Sequence, residues 1–239
     1  GDWALVRPPA IHAGWRSTRE ERFVRENRVE GEGAASRAVA FLGPHETVTR
    51  EANGQRFRLI VPDAAEMAES PGAVLDALEH ASGALQVGDR DPEVFVVAAP
   101  TGEVGWGVRG LQTGDADVWI RDEERLDTAD NVWVHEYVHT RQGYRTEASA
   151  RWFTEASATY YAALLTLERG ETDFADFRRV LARGERDPQA SAVLSDPGTW
   201  ANYAQYTKGS LVAGEIDRRI RLATDGEASL ATVFRDGCR

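Results

Sequence analysis

The sequence contains two histidines four residues apart, His135 and His139, with Glu136 directly after the first. Residues at this spacing lie on one face of an α-helix, so a helical segment would direct both imidazole rings at the same point. The sequence from about residue 128 to 143 is compatible with a helix, and Gly143 is typical of a helix end. The pattern therefore predicts a helix with two ligands for one metal ion, next to which Glu136 acts as a base rather than as a ligand.

A third ligand is predicted at Glu155, sixteen residues after His139. Glu155 lies in an amphipathic segment that predicts a helix from about residue 150 to 170, and an antiparallel arrangement could bring it to the two histidines. Catalytic zinc commonly binds three protein side chains and leaves a fourth position for water, and two histidines with one glutamate are an established set. We therefore predict that His135, His139 and Glu155 bind one Zn²⁺ ion. The alternative is an ordinary helix with a surface glutamate.

The first part of the chain, residues 1–125, is predicted to be rich in β-strands. Five segments alternate or run apolar over strand length: 38–42, 46–50, 56–61, 93–99 and 117–120. Turn signals at residues 43–44 and 53–54 predict that the first three strands form a short antiparallel meander. Ser70 and Pro71 are typical of a helix start, so one helix is expected within this part.

The remaining residues, 126–239, are predicted to be helical. Helices are expected at about 128–143, 150–170, 173–183 and 202–224, followed by a short one that begins at Ser229. Thr128 or Asp130 could cap the first of these helices. The order of elements predicts an α+β fold in two parts, 1–125 and 126–239. No stretch has the apolar length that a membrane span requires.

The composition restricts the classes of partner. The chain has 39 acidic and 28 basic residues, a formal net charge of -11, and Lys208 is its only lysine. An acidic surface with arginine in place of lysine suits a halophile, although a high-GC genome would also favour arginine. Because the arginines are interleaved with acidic residues, we expect no nucleic-acid partner. The compartment stays open, with an extracellular or cell-surface location favoured over the cytoplasm. The single cysteine, Cys238, excludes an internal disulfide.

Two further segments carry a resemblance to a known family. Residues 152–156, Trp-Phe-Thr-Glu-Ala, look like a Trp-Leu-x-Glu-Gly segment, and residues 206–209, Tyr-Thr-Lys-Gly, are similar to a Tyr-x-Lys-Gly motif. With the histidine pair, they resemble the gluzincin zinc metallopeptidases, specifically the aminopeptidase N-type and glycyl aminopeptidase families. The resemblance implies an α+β, thermolysin-like (zincin) catalytic domain, with a small mixed or antiparallel sheet followed by a helical subdomain.

The resemblance also implies a function, zinc-dependent hydrolysis of peptides or proteins. Zinc and Glu136 would activate water, and Tyr206 would stabilise the oxyanion. Thr159, one turn after Glu155, could hydrogen-bond a histidine, although core packing is the favoured interpretation. Two alternatives stay open: a peptidase-fold module that binds or scaffolds without cleaving, and zinc hydrolysis of another substrate such as an epoxide. The segment between His139 and Glu155 is shorter than in either family, so a tight connection is expected.

Two further departures from these families are expected. Of their large N-terminal β-sandwich we expect only a stub in this sequence, and the other departure concerns the substrate-binding strand. In them, an edge strand supplies a glutamate that binds the free amino group of the substrate. The corresponding segment here contains Gly107, Gly110 and Gln112, with Gln112 where the acid is expected. We predict that these three residues bind substrate along an edge strand, and a simple glycine-rich turn is the alternative. The acids that could substitute are Glu103, Asp115 and Asp117. The choice between an aminopeptidase and an endopeptidase therefore stays open.

Overall fold

The computed structural model of the chain describes residues 2–9, 26–85, 90–102, 104–144 and 146–232. Its strands are β1 (Ala4–Val6), β2 (Gly33–Ala35), β3 (Ala40–Leu42), β4 (His45–Ala52), β5 (Gln55–Pro62), β6 (Glu93–Ala99), β7 (Gly110–Thr113) and β8 (Asp117–Arg121). Its α-helices are α1 (Pro71–Ala84), α2 (Val132–His139), α3 (Trp152–Glu168), α4 (Phe174–Leu181) and α5 (Ala204–Ala223). Strands precede helices except for α1, which confirms the predicted α+β class.

The strands form two sheets. The larger has the order β4-β5-β6-β8-β7 and is mixed, because β6 pairs parallel with β5 and β8 while β4 and β7 pair antiparallel with their neighbours. The smaller sheet is antiparallel, in the order β1-β3-β2. The predicted meander is therefore wrong for its first strand, because β3 belongs to the small sheet and does not pair with the β4-β5 hairpin. Gly43 makes the change of sheet possible with a φ of 133°, where a Cβ would lie 2.8 Å from the Asp2 carbonyl oxygen.

The central strand β6 shows how the sequence divides the core. Its segment is apolar throughout, as expected for a strand that is buried on both faces. The even-numbered residues from Val94 to Ala98 belong to the core shared with the helices. The odd-numbered residues from Phe95 to Ala99 belong to a second core with Phe41 of the small sheet. The alternation of side chains along a strand thus produces three layers: small sheet, large sheet and helices.

The helix boundaries agree with the predicted ones except around α2. The Ser70 hydroxyl accepts a hydrogen bond from the Ala73 N–H, as expected for the cap of α1. Helix α2, however, begins after Asn131, whose side-chain oxygen accepts a hydrogen bond from the Val134 N–H at 3.2 Å. The predicted caps are therefore wrong, and the helix ends at His139 rather than near Gly143. Thr128 instead accepts a hydrogen bond from the Asp130 N–H in the preceding turn.

The helical part packs directly on the sheet. Phe57 and Val96 of the sheet share one core with Trp133 of α2 and Tyr160 of α3. The boundary near residue 125 lies between β8 and α2, and the organisation into parts 1–125 and 126–239 stays a prediction. The helix expected after Ser229 is helical at residues 230–232, and later residues lie outside the described ones. None of the described helices has the length and apolar character that crossing a bilayer requires.

Candidate active site

Helix α2 directs two imidazole rings at one point. The Nε2 atoms of His135 and His139 lie 3.1 Å apart, with ring centroids at 4.8 Å and an angle of 82° between the ring planes. Both side chains are largely buried, at 14% and 12% exposure. This is the geometry that the four-residue spacing on a helix predicts.

Glu155, in the first turn of α3, completes a cluster of three ligand atoms. Its Oε2 lies 3.3 Å from the Nε2 atom of His135 and 3.3 Å from that of His139. This buried oxygen makes no hydrogen bond with any described residue. Although burial opposes it, the two histidines lower the pKa of Glu155, so the carboxylate is ionised at neutral pH. Two imidazole nitrogens and an otherwise unpartnered carboxylate oxygen are a donor set that fits zinc.

Glu136 joins the histidine helix to the edge of the sheet. It is 7% exposed, and its Oε2 accepts a hydrogen bond from the Gln112 backbone N–H at 2.8 Å. Burial raises the pKa of Glu136, while the neighbouring histidines and this N–H act in the opposite direction. A Cβ on Gly110 would lie 2.9 Å from both the Glu136 Cγ and a Val132 methyl carbon. Gly110 is therefore the residue that lets β7 approach α2 closely enough to hold the Glu136 carboxylate.

The strand β7 lies at the edge of the large sheet, where the sequence predicted a substrate-binding strand. Gly107, Gly110 and Gln112 all line the same cleft as the three candidate ligands. The Gln112 side-chain amide donates hydrogen bonds to the carbonyl oxygens of Gly114 and Asp115, at 2.7 and 3.1 Å. The Gln112 side chain thus supports its own turn, and its role toward a substrate stays a prediction.

The acids considered as substitutes for Gln112 lie in different surroundings. Asp117 is 5% exposed and accepts hydrogen bonds from the Ser36 hydroxyl and two backbone N–H groups, so it joins the small sheet to the large one. Asp115 is exposed and lies 3.8 Å from Arg37. Glu103 lies outside the described residues. Asp117 is therefore a structural carboxylate and is unavailable to a substrate.

Tyr206 reaches the site from α5. Its ring stacks on His135, with centroids 5.9 Å apart and planes at 22°. Burial, and after it the negative charge of Glu155, raises the pKa of the Tyr206 phenol, which therefore stays protonated. Tyr203, which precedes α5 with a left-handed φ of 68°, lies edge-on to Tyr206 and is 69% exposed at the cleft.

Lys208 and Gly209, which complete the Tyr-Thr-Lys-Gly segment, each have a structural role. Lys208, the only lysine, donates hydrogen bonds to the carbonyl oxygens of Ala190 and Ala192, at 2.7 and 2.5 Å. A Cβ on Gly209 would lie 2.8 Å from the Ala156 Cβ, so glycine permits the close approach of α5 to α3. One short segment thus places a phenol in the cleft, holds a neighbouring loop and packs two helices.

All the predicted site residues border one cleft of about 710 Å³. Sequence reasoning missed Gln142, whose side-chain Oε1 lies 2.8 Å from His139 Nδ1. Its position three residues after a histidine, near the same helix face, is the signal that could have identified it. Thr159, the considered partner of a histidine, lines the cleft, but its buried hydroxyl has no hydrogen-bond partner among the described residues.

Comparison with known proteins gives matches in structure only. No protein-family model matches the sequence, and no curated protein matches it. An aminopeptidase N family protein from Idiomarina loihiensis superposes with a TM-score of 0.61 at 18% identity, over 83% of this chain and 41% of that one. An M1 zinc metallopeptidase from Deinococcus radiodurans superposes with a TM-score of 0.60 at 20% identity, over 84% and 46% of the two chains.

A mutant of the Deinococcus radiodurans enzyme bound to a Tyr-Ser-Ala substrate also superposes, with a TM-score of 0.60 at 18% identity over 84% of this chain and 45% of that one. This chain therefore spans less than half the length of these solved proteins. At this level of identity the likeness concerns the fold. It confirms the predicted resemblance to the zinc metallopeptidases as a resemblance of fold.

Proposed function

We propose that this chain is a zinc-dependent peptidase domain in which His135, His139 and Glu155 bind one Zn²⁺. The observation that carries the proposal is the meeting of three ligand atoms at one point, with Glu155 Oε2 buried and 3.3 Å from both histidine nitrogens. Apart from these two nitrogens, Glu155 Oε2 has no hydrogen-bond partner among the described residues, and a buried carboxylate is costly unless a cation or hydrogen bonds compensate its charge. Three protein ligands also leave a coordination position for water or substrate.

When bound, zinc lowers the pKa of water and polarises a carbonyl group. In this proposal Glu136 is the general base: its carboxylate takes a proton from the attacking water and later transfers one to the leaving amine. The Gln112 N–H holds one carboxylate oxygen at 2.8 Å, so the orientation of the base is set by the strand. The other oxygen remains to accept the proton.

Tyr206 is proposed as the group that stabilises the oxyanion. Its phenol is protonated at neutral pH and can donate a hydrogen bond to the oxygen on which negative charge develops. The stacking of its ring on His135 supports this role, because it keeps the phenol beside the candidate ligands.

Peptides are the substrate class that we propose, bound as an extended strand along β7. This strand pairs with β8 alone in the described sheet, and Gly107, Gly110 and Gln112 border the cleft beside it. An edge strand can bind an extended peptide through its remaining backbone groups, since the Gln112 N–H already donates to Glu136. The solved proteins with this fold are named as peptidases, and one holds a Tyr-Ser-Ala substrate.

The test is zinc reconstitution followed by hydrolysis of free and N-acetylated peptide libraries. We expect about one zinc per chain and cleavage that Glu136→Gln reduces by about 10²- to 10⁴-fold without loss of metal. Zinc content far below one equivalent would overturn the metal site. Equal cleavage of blocked and free peptides would exclude an aminopeptidase. Full zinc without any cleavage would instead favour the non-cleaving binding module.

A further inference from the structure

The side chain of Gln142 connects the two helices that carry the candidate zinc ligands. Its Oε1 lies 2.8 Å from His139 Nδ1, and its Nε2 donates a hydrogen bond to the backbone carbonyl oxygen of Thr154 at 2.8 Å. The same Nε2 donates to the Ser157 hydroxyl at 3.0 Å. Gln142 follows α2, whereas Thr154 and Ser157 belong to α3, and Thr154 directly precedes Glu155.

These contacts determine which nitrogen of His139 carries the proton. A carbonyl oxygen can only accept a hydrogen bond, so the amide nitrogen of Gln142 must face Thr154 and its oxygen must face His139. An amide oxygen is likewise only an acceptor, so the neutral His139 ring must carry its hydrogen on Nδ1. The lone pair is then on Nε2, the nitrogen that faces Glu155 Oε2 at 3.3 Å.

The same amide also relates the positions of two ligands. One of its ends orients the His139 ring, and the other holds the carbonyl of the residue before Glu155. Only residues 140–151 separate α2 from α3, and Gln142 lies within this connection. A rotation of the side chain would therefore disturb His139 and the start of α3 together.

We propose that Gln142 is a positioning residue that selects the zinc-binding tautomer of His139, while its contact with Thr154 connects the two helices. The inference rests on the proposed metal site. Gln142 would contact a zinc ligand without binding the metal itself, and neither the motif nor the resemblance identified it. Outer partners of metal-binding histidines commonly contribute about 10- to 100-fold in metal affinity.

Two substitutions separate the contact in which Gln142 accepts from His139 from the contact in which it donates to Thr154. Gln142→Ala removes both, and its zinc dissociation constant is expected to rise by about 10- to 100-fold in competition with a chromophoric chelator. Gln142→Glu keeps an acceptor for His139 Nδ1–H but, when ionised, cannot donate to Thr154. Its zinc affinity is expected within about threefold of the wild type, with a lower Tm of the zinc-free protein.

Gln189→Ala is the matched control, because among the described residues this glutamine makes one side-chain hydrogen bond, of 3.3 Å, away from the histidines. It should bind zinc like the wild type. Wild-type affinity in Gln142→Ala would overturn the proposal. Equal losses in the Ala and Glu variants would also overturn it, because they would indicate packing rather than acceptance of the Nδ1 hydrogen.

A second measurement is independent of metal and of peptidase activity. Nitrogen-15 shifts of the His139 ring, recorded in the zinc-free protein at alkaline pH, should assign the hydrogen to Nδ1 in the wild type and in Gln189→Ala. Gln142→Ala should lose this preference. The measurement therefore distinguishes this proposal from the proposed function. A protein that has the Nδ1–H tautomer but cleaves no peptide would support the role of Gln142 and contradict the peptidase function. An Nε2–H tautomer in the wild type would overturn that role.

Discussion

The two walls of the cleft are built in different ways. The helical wall consists of the side chains of His135, His139, Glu155 and Tyr206, on α2, α3 and α5. The strand wall consists of β7 and the loop before it, and it offers backbone groups and glycines. Helix geometry sets the spacing of the histidines, whereas the strand wall depends on one close approach to α2. In the proposed peptidase, metal binding and substrate orientation would therefore have separate determinants, which meet at Glu136.

The largest effect should come from removing a ligand in the helical wall. Glu155→Gln replaces a charged oxygen with a weaker amide ligand, and zinc affinity is expected to fall by more than about 100-fold, beyond the usual cost of an outer partner. The dissociation constant in a chelator competition measures it. Glu147→Gln is the control, since Glu147 is exposed and makes no capping hydrogen bond. Unchanged affinity in Glu155→Gln would remove Glu155 from the ligand set.

The second largest effect should be a loss of catalytic rate in a variant of Tyr206 that still binds zinc. Tyr206→Phe deletes the phenol oxygen alone, and kcat is expected to fall by about 10²- to 10³-fold, the cost of losing one oxyanion donor. Steady-state kinetics on a cleaved peptide, with zinc content measured in parallel, give the comparison. Tyr203→Phe removes an exposed hydroxyl nearby and should change kcat little. A kcat close to wild type in Tyr206→Phe would contradict the assignment.

The strand wall should respond to a single methyl group. Gly110→Ala places a Cβ 2.9 Å from Glu136 and Val132, which should push β7 away from α2 and lower the free energy of unfolding by about 1–3 kcal/mol. Zinc affinity should stay near wild type, since no ligand moves. Urea denaturation measures the change. Gly105→Ala is the control, because no atom of the described residues, apart from its chain neighbours, would lie within 4 Å of the added carbon. Equal stability of both variants would refute the close approach.

The smallest effect on stability should come from Lys208, which follows Tyr206 on α5 and contacts a neighbouring loop. Lys208→Met removes two hydrogen bonds to carbonyl oxygens from a partly buried ammonium group, and we expect a loss of about 1–2 kcal/mol in the free energy of unfolding. Arg219→Met is the control, because it removes only an exposed ion pair with Glu215, and it should lose less stability. If the two variants lose equal stability, Lys208 does not hold the loop.

The fold was predictable where local patterns act alone. The apolar run of β6 and the Ser70-Pro71 start of α1 were located from neighbouring residues, because strand and helix periodicity depend on short spacings. The pairing of β3 was not predictable in this way, since a turn at Gly43 is compatible with either sheet. The cap of α2 was misplaced for a similar reason. Asn131 is buried and also donates to Leu126 and Thr166, a distant residue.

The candidate site shows the same division. The helical wall was largely identified from spacing and resemblance. In the strand wall, the sequence located the edge strand but not the hydrogen bond from the Gln112 N–H to Glu136. A backbone donor has no signature in the sequence, because every residue except proline carries one. Gln142 was not identified from the sequence, because its contacts with His139, Thr154 and Ser157 form only when α2 and α3 pack together.

By itself, the sequence located β3 to β6, β8 and the helices in their order, without β1 and β2, and it determined the shared face of His135 and His139. Both results follow from backbone periodicity over a few residues. The tertiary structure alone decided that Glu155 lies 3.3 Å from both histidines, that Gly110 brings β7 against Glu136, and that Gln142 connects the two helices with the candidate ligands. These contacts join residues on separate elements. Their distances depend on how whole helices and sheets pack, which no local spacing specifies.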